Sequence, residues 1–303
     1  MAKRKKQELN TPYAIKSFIG FLEGTEKSSH TISSYRSDLT TFQNYIEKEL
    51  HPQHQVRIQD LKLRDLEKYA DFLKNSGMKV NTRRRKLLTV RRLFRFLKKR
   101  NQPVFDLADK LPTPYKVERV PETVPFEMIR KSIMSLKHEN ELTHRNQILL
   151  WTLAETGCLV SEVGRIKFEH WTKDGVFIYG KNSNRKIPVS QELVRSVKGF
   201  QKKSKNREFL FFGYNKFGPL SSPITSRGVE LLVKAYRERL KFPHLTPRTF
   251  RHSIVLHWFQ TGFSKSQIRE WLGLKTDYAF RVFEPLLQNA KENNGSTLLG
   301  ESH

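Results

Sequence analysis

The chain has 303 residues, and its 56 Lys and Arg against 30 Asp and Glu give a formal charge of +26, while 21 Phe, 9 Tyr and 4 Trp exclude a disordered polyelectrolyte. No run approaches the ~18 apolar residues of a membrane span. The basic start Met1–Lys6 is followed by no apolar stretch, so no secretory signal is expected.

One cysteine, Cys158, forms neither an internal disulfide nor a zinc cluster, so no metal and no cofactor are expected, and the compartment expected is the cytoplasm. So large a positive charge on a foldable chain points to a polyanion, nucleic acid before membrane surface. Up to Glu122 there are 27 basic and 14 acidic residues, and beyond it 29 and 16, so each half carries the same surplus of 13. Neither half is a basic tail on a neutral body, which is what a protein gripping a duplex from two sides requires.

Residues 1–11 form a basic leader. Tyr13, Ile15, Phe18, Ile19 and Leu22 recur at spacings of three and four, which predicts a helix with Pro12 in its first turn. The cap signal of Ser28-Ser29-His30-Thr31 precedes a second helix carrying Ile32, Tyr35, Leu39, Phe42, Tyr45 and Ile46 on one face. A third runs from Leu61 to Leu73 and ends at Asn75-Ser76-Gly77. The fourth, from about Asn81 to Lys99, buries Leu87, Leu88, Val90, Leu93, Phe94 and Leu97, and its other faces carry Arg83, Arg84, Arg85, Lys86, Arg91, Arg92 and Arg95. No acid lies between Lys79 and Val104. A solvated helix normally mixes signs to gain i,i+4 pairs, so this face is expected to meet phosphates.

Pro112, Pro114 and Pro121 mark residues 108–122 as an extended linker between a helical domain, 12–107, and a second domain, 123–288. There a helix to about Leu136, an apolar helix from His144 to Glu155, and a hairpin of Val176–Tyr179 with Lys186–Val189 are expected. Helices at Glu192–Phe200, Ser226–Leu240, Thr249–Thr261, Ser264–Leu272 and Asp277–Gln288 complete it, and residues 289–303 form a tail.

Thr156-Gly157-Cys158-Leu159-Val160-Ser161-Glu162, the hairpin Gly180-Lys181, Leu245-Thr246-Pro247-Arg248-Thr249-Phe250-Arg251-His252 and Trp271-Leu272-Gly273-Leu274 follow one another in an order that resembles the tyrosine recombinases, the phage-integrase and Xer-like family, across residues 12–287. The resemblance implies a mainly α fold: a helical SAM-like core-binding domain and an α-rich catalytic-type domain with a small antiparallel sheet, closing as a C-shaped clamp on double-stranded DNA. In that family a tyrosine hydroxyl attacks a phosphodiester to give a 3′-phosphotyrosyl link, without metal. Two arginines and a His or Trp hold the transition-state charge, and a hairpin lysine and a second histidine move protons.

Laid on this sequence, the first arginine falls at Leu159 and the hairpin lysine is retained as Lys181. The His-x-x-Arg pair reads Arg248 and Arg251, so its arginine survives and its histidine does not. Leu274 stands where His or Trp is usual, and the nucleophile position is Phe283, whose ring has no oxygen to bond to phosphorus. The resemblance therefore implies a fold whose cleavage site is not intact. Leu159, Leu274 and Phe283 are expected to have closed into core.

Two readings stand for Arg251, an ion pair with Glu162 or a phosphate ligand. Arg248, one turn earlier, faces the same anion if Lys181, Arg248 and Arg251 hold phosphate without cutting it. His252 reads as a buried, satisfied histidine. Tyr278, five residues from Phe283, points elsewhere on an α-helix. The function expected is DNA binding without cleavage, at a nucleoid-associated location, as an architectural, regulatory or partner subunit. The alternatives are an active recombinase with a shifted nucleophile and an RNA-binding protein. Leu298 and Leu299 in the tail are candidates for docking on an identical subunit or an active recombinase.

Overall fold

The computed structural model describes residues 10–50, 56–100, 109–180, 183–204 and 207–288. The basic leader up to residue 9, Lys181 of the hairpin turn and the tail from residue 289 lie outside the described residues. The chain divides into two compact units, Met1–Glu118 and Arg119–His303, and each is described by itself.

Among the described residues the first unit has four α-helices: α1 (Thr11–Glu23), α2 (Ser29–Tyr45), α3 (Leu63–Asn75) and α4 (Val80–Lys99). Asn10 caps α1 by accepting from the Tyr13 amide, with Pro12 in the first turn, and Ser28 caps α2 by accepting from Thr31. α2 runs on into a π-helical turn, Ile46–Leu50. Phe42, Tyr69 and Phe94 are fully buried where α2, α3 and α4 meet, and Phe18 of α1 packs against Tyr35 and Phe96. Asp38 on α2, 1% exposed, accepts from Arg85, Lys86 and Thr89 of α4, so a buried charge network as well as the apolar stripe fixes these two helices together.

The second unit is built round α6 (Glu141–Thr156). Its residues from Arg145 to Thr156 are all buried, as expected of a central helix rather than an amphipathic one. It is flanked by α5 (Phe126–Met134), α8 (Gln191–Lys203) and α10 (Pro247–Gln260). The four-residue α7 (Val160–Val163) packs on α9 (Ser226–Tyr236), and α11 (Lys265–Leu272) packs on α10.

β1 (Gly175–Tyr179) pairs antiparallel with β2 (Asn184–Pro188), Val176 opposite Ile187 and Tyr179 opposite Asn184. A second hairpin, β3 (Phe212–Asn215) with β4 (Gly218–Pro223), corrects the expectation of one small sheet. Its second strand is Gly-, Pro- and Ser-rich and exposed, so it gives no alternating apolar signal. The helix expected at Asp277–Gln288 is a 3₁₀ helix, Asp277–Phe283, followed by one helical turn, and α9 ends at Tyr236 rather than Leu240.

Candidate functional site

On the first unit the basic helix α4 is more engaged with its own chain than its acid-free sequence suggests. Lys86 is a correction to the phosphate-facing set. It is 6% exposed, with Nζ 3.3 Å from Asp38 Oδ1 and 2.8 Å from Thr41 Oγ1. Arg85 stays half outside and donates to Asp38 at 2.6 Å. Arg84 donates to the Pro114 carbonyl at 3.2 Å, Arg91 to that of Leu111, and Arg95 to the Asp109 carboxylate. That bond holds the Asp109 carboxyl below its usual range. Arg83 is half-buried, and Arg92 is exposed with its guanidinium 5.4 Å from the Tyr35 ring centre. Arg84, Arg85, Arg92, Lys116, Tyr35 and Leu88 help to line a cavity of about 500 Å³, and Asp38 lines it too.

On the second unit the four sequence motifs converge. Gly157 closes α6 in the left-handed region at φ +56°, where a Cβ would lie 2.9 Å from Ile254 Cγ2. The Arg251 side chain reaches back across α10 to the same turn, Nη1 donating to the Gly157 carbonyl at 2.6 Å and Nη2 to that of Leu272 at 3.0 Å. Burial pulls its guanidinium below the usual arginine value. Glu162 acts on the Arg251 charge without hydrogen-bonding it. It is taken by Arg185 of β2, both guanidinium Nη atoms lying 2.8 Å from its oxygens, and it also accepts from the Leu159 amide at 2.8 Å. Arg185 Nε donates to the Trp271 carbonyl at 2.7 Å. This one side chain therefore ties the hairpin to α7 and to the end of α11. Gly273 follows at φ +64°, where a Cβ would overlap Ser183 Oγ.

Phe283 is 4% exposed, edge-on to the His252 ring at 5.6 Å and 6.4 Å from the Phe259 ring. Arg248 is exposed and its Nε lies 3.3 Å from His252 Nε2, so the two arginines of the Arg-x-x-Arg run have different partners instead of one shared contact. Burial, and then the Arg248 charge, push the His252 pKa down to about 4, which leaves the imidazole neutral and able to accept. Cys158 beside Leu159 is 2% exposed and burial raises its thiol to about 11, so it offers no thiolate near neutral pH.

The model of the phage integrase N-terminal SAM-like domain matches residues 15–101, and that of the phage integrase family matches residues 128–279. The chain belongs to the phage integrase family of tyrosine recombinases. It is 24% identical over 250 residues to the tyrosine recombinase XerC of Staphylococcus epidermidis, covering 81% of this chain and 83% of that one. It is 25% identical over 275 residues to XerD of Rhizobium meliloti, covering 86% of each. In fold it is similar to the XerH site-specific recombinase bound to a palindromic difH substrate in a post-cleavage complex, with a TM-score of 0.71, 15% identity and coverage of 96% and 90%. A lambda integrase(75-356) dimer bound to a COC' core site matches with a TM-score of 0.69, 11% identity and coverage of 89% and 97%.

At the positions that the resemblance pairs with tyrosine-recombinase active-site residues, the expected closure into core is met only in part. Phe283 is core and Leu274 is half-buried against it. Leu159, however, is 47% exposed, because it is the cap residue of the short surface helix α7 and its amide rather than its side chain is held inward. Tyr278 is 56% exposed on the 3₁₀ helix, where five residues make about one and two-thirds turns rather than the α-helical count. Its ring carries Arg281 at 5.4 Å.

Arg185 was the functional-looking residue missed from sequence. The available signal was alternation, since Arg185 shares a strand face with the buried Ile187.

Proposed function

We propose that this tyrosine recombinase binds duplex DNA without cleaving it, as an architectural or site-occupying factor or as the silent subunit beside an active recombinase. Phe283 carries this reading. A phenylalanine packed between His252 and Phe259 stands at the position paired with the nucleophile, and no side-chain change short of substitution supplies an oxygen there. Leu159, Arg248 and Leu274 weaken the transition-state clamp further, and the buried Cys158 thiol is no replacement.

Lys181 and Arg248 then serve phosphate binding, together with the outward part of α4, Arg85 and Arg92 above all, while Arg251 is committed to the Gly157 and Leu272 carbonyls. The net charge of +26 and the DNA-bound states of the lambda integrase dimer and XerH support double-stranded DNA as the partner. The reading places the protein in the cytoplasm on the nucleoid. Among the described residues no helix is long and apolar enough to cross a membrane. It also gives Leu298 and Leu299 the role of docking on an identical or active recombinase subunit.

The test is binding to supercoiled plasmid followed by topology. The protein should retard the plasmid, with affinity falling linearly in log salt, and leave it supercoiled. An Arg92→Glu variant should lower the salt slope by at least about 0.9. Relaxation or nicking by the unaltered protein refutes the reading.

A further inference from the structure

The segment 109–117 follows the basic helix in sequence and lies back along it. The Asn81 amide grips Val117 at both ends of its peptide, Nδ2 donating to the Val117 carbonyl at 2.8 Å and the Val117 amide donating to Oδ1 at 3.0 Å. Arg84 donates to the Pro114 carbonyl at 3.2 Å and Arg91 to the Leu111 carbonyl. The three attachment points, 111, 114 and 117, recur every third residue, which is the period of a polyproline helix, and Pro112 and Pro114 favour that conformation.

The lengths agree as well. Six residues of polyproline helix span about 19 Å and the ten α-helical residues from 81 to 91 about 15 Å, a difference that long arginine side chains absorb. Carbonyls 111, 114 and 117 therefore face α4. Tyr115 points away at 94% exposed, and Lys116 stands in the wall of the cavity with Arg84, Arg85 and Arg92.

From this geometry we infer that residues 109–117 form a strap that adds Lys116 to the phosphate-binding surface of the first unit, with Asn81 as its positioning residue. Lys116 lies 3.4 Å from Glu118 in a pair about half exposed on both sides, and a pair so placed is worth little. Arg84 and Arg91 act on DNA through the strap they hold, and Arg92 acts directly. The inference rests on the duplex-binding reading above.

The experiment is a double-mutant cycle in the full chain, reading affinity for a mixed-sequence duplex oligonucleotide against salt. Lys116→Ala should lower the slope of log affinity against log salt by about 0.9, the loss of one phosphate contact. Asn81→Ala should give a loss of the same size, and the double variant no more than either single one, because Asn81 acts only by placing Lys116. Binding unchanged in Lys116→Ala while the unaltered protein binds overturns the strap and leaves the duplex reading standing. Additive losses overturn the positioning role and put Asn81 on the DNA itself. Absence of binding by the unaltered protein overturns the duplex reading, and the strap's role with it.

Discussion

Replacing Arg185 by alanine tests how the second unit holds its motifs together. The Arg185 and Glu162 side chains are 3% and 8% exposed and meet through two contacts of 2.8 Å, with a third bond from Arg185 to the Trp271 carbonyl. Truncation leaves the Glu162 carboxylate buried and still accepting from the Leu159 amide, with the guanidinium gone. Breaking a buried pair from one side costs about 3–5 kcal/mol. For a unit of this size each kcal/mol lowers the melting temperature by roughly 2–4 °C, so the fall should be about 6–20 °C.

All four tryptophans, Trp151, Trp171, Trp258 and Trp271, lie in the second unit, so thermal unfolding followed by tryptophan fluorescence reads that unit alone. The double replacement Arg185→Leu with Glu162→Leu should be less damaging than Arg185→Ala, since no unpaired charge remains. A cost below about 1 kcal/mol, the worth of an exposed pair, refutes the claim that this pair is a buried tie.

Phe283→Tyr should not restore plasmid relaxation. On the proposed reading the clamp lacks the arginine at Leu159 and the imidazole at Arg248, and each missing donor costs about 10²–10³ in rate; the assay is supercoiled-plasmid relaxation with an active recombinase as control. Stability should fall as pH drops from about 6.5 towards 4. His252 and His144 both have folded values near 4, set first by burial and then by Arg248 and by His138 with Lys203 respectively, so in that window the unfolded chain takes up protons that the folded chain refuses. Urea midpoints by tryptophan fluorescence should rise with pH across it, and His252→Asn should flatten the rise.

The four helices of the first unit were legible because Leu39, Phe42, Leu66, Tyr69, Leu93 and Phe94 recur at helical spacing, and the caps Ser28 and Gly77 sit where the chain turns. The motifs of the second unit were legible as short words in a fixed order. What escaped was pairing across the chain. No local pattern announces that Arg185 takes Glu162 instead of Arg251, or that Asp38 draws Lys86 inward from a helix with no acid of its own. The 3₁₀ helix at Asp277–Phe283 escaped because its apolar residues Phe280 and Phe283 are three apart, a spacing shared with an α-helix. The arginines of α4 read as one docking face, yet Arg84, Arg91 and Arg95 reach residues 30, 20 and 14 positions later in the chain.

The central claim, binding without cleavage, is tested most directly by incubating the protein with a nicked duplex that traps a cut strand and resolving the products under denaturing conditions. Retardation on a native gel should show the duplex occupied. The denaturing gel should show free DNA and no protein-linked band, because Phe283 offers no atom for a phosphotyrosyl bond. A covalent band that disappears in Tyr278→Phe would contradict the account and move the nucleophile to the exposed tyrosine of the 3₁₀ helix.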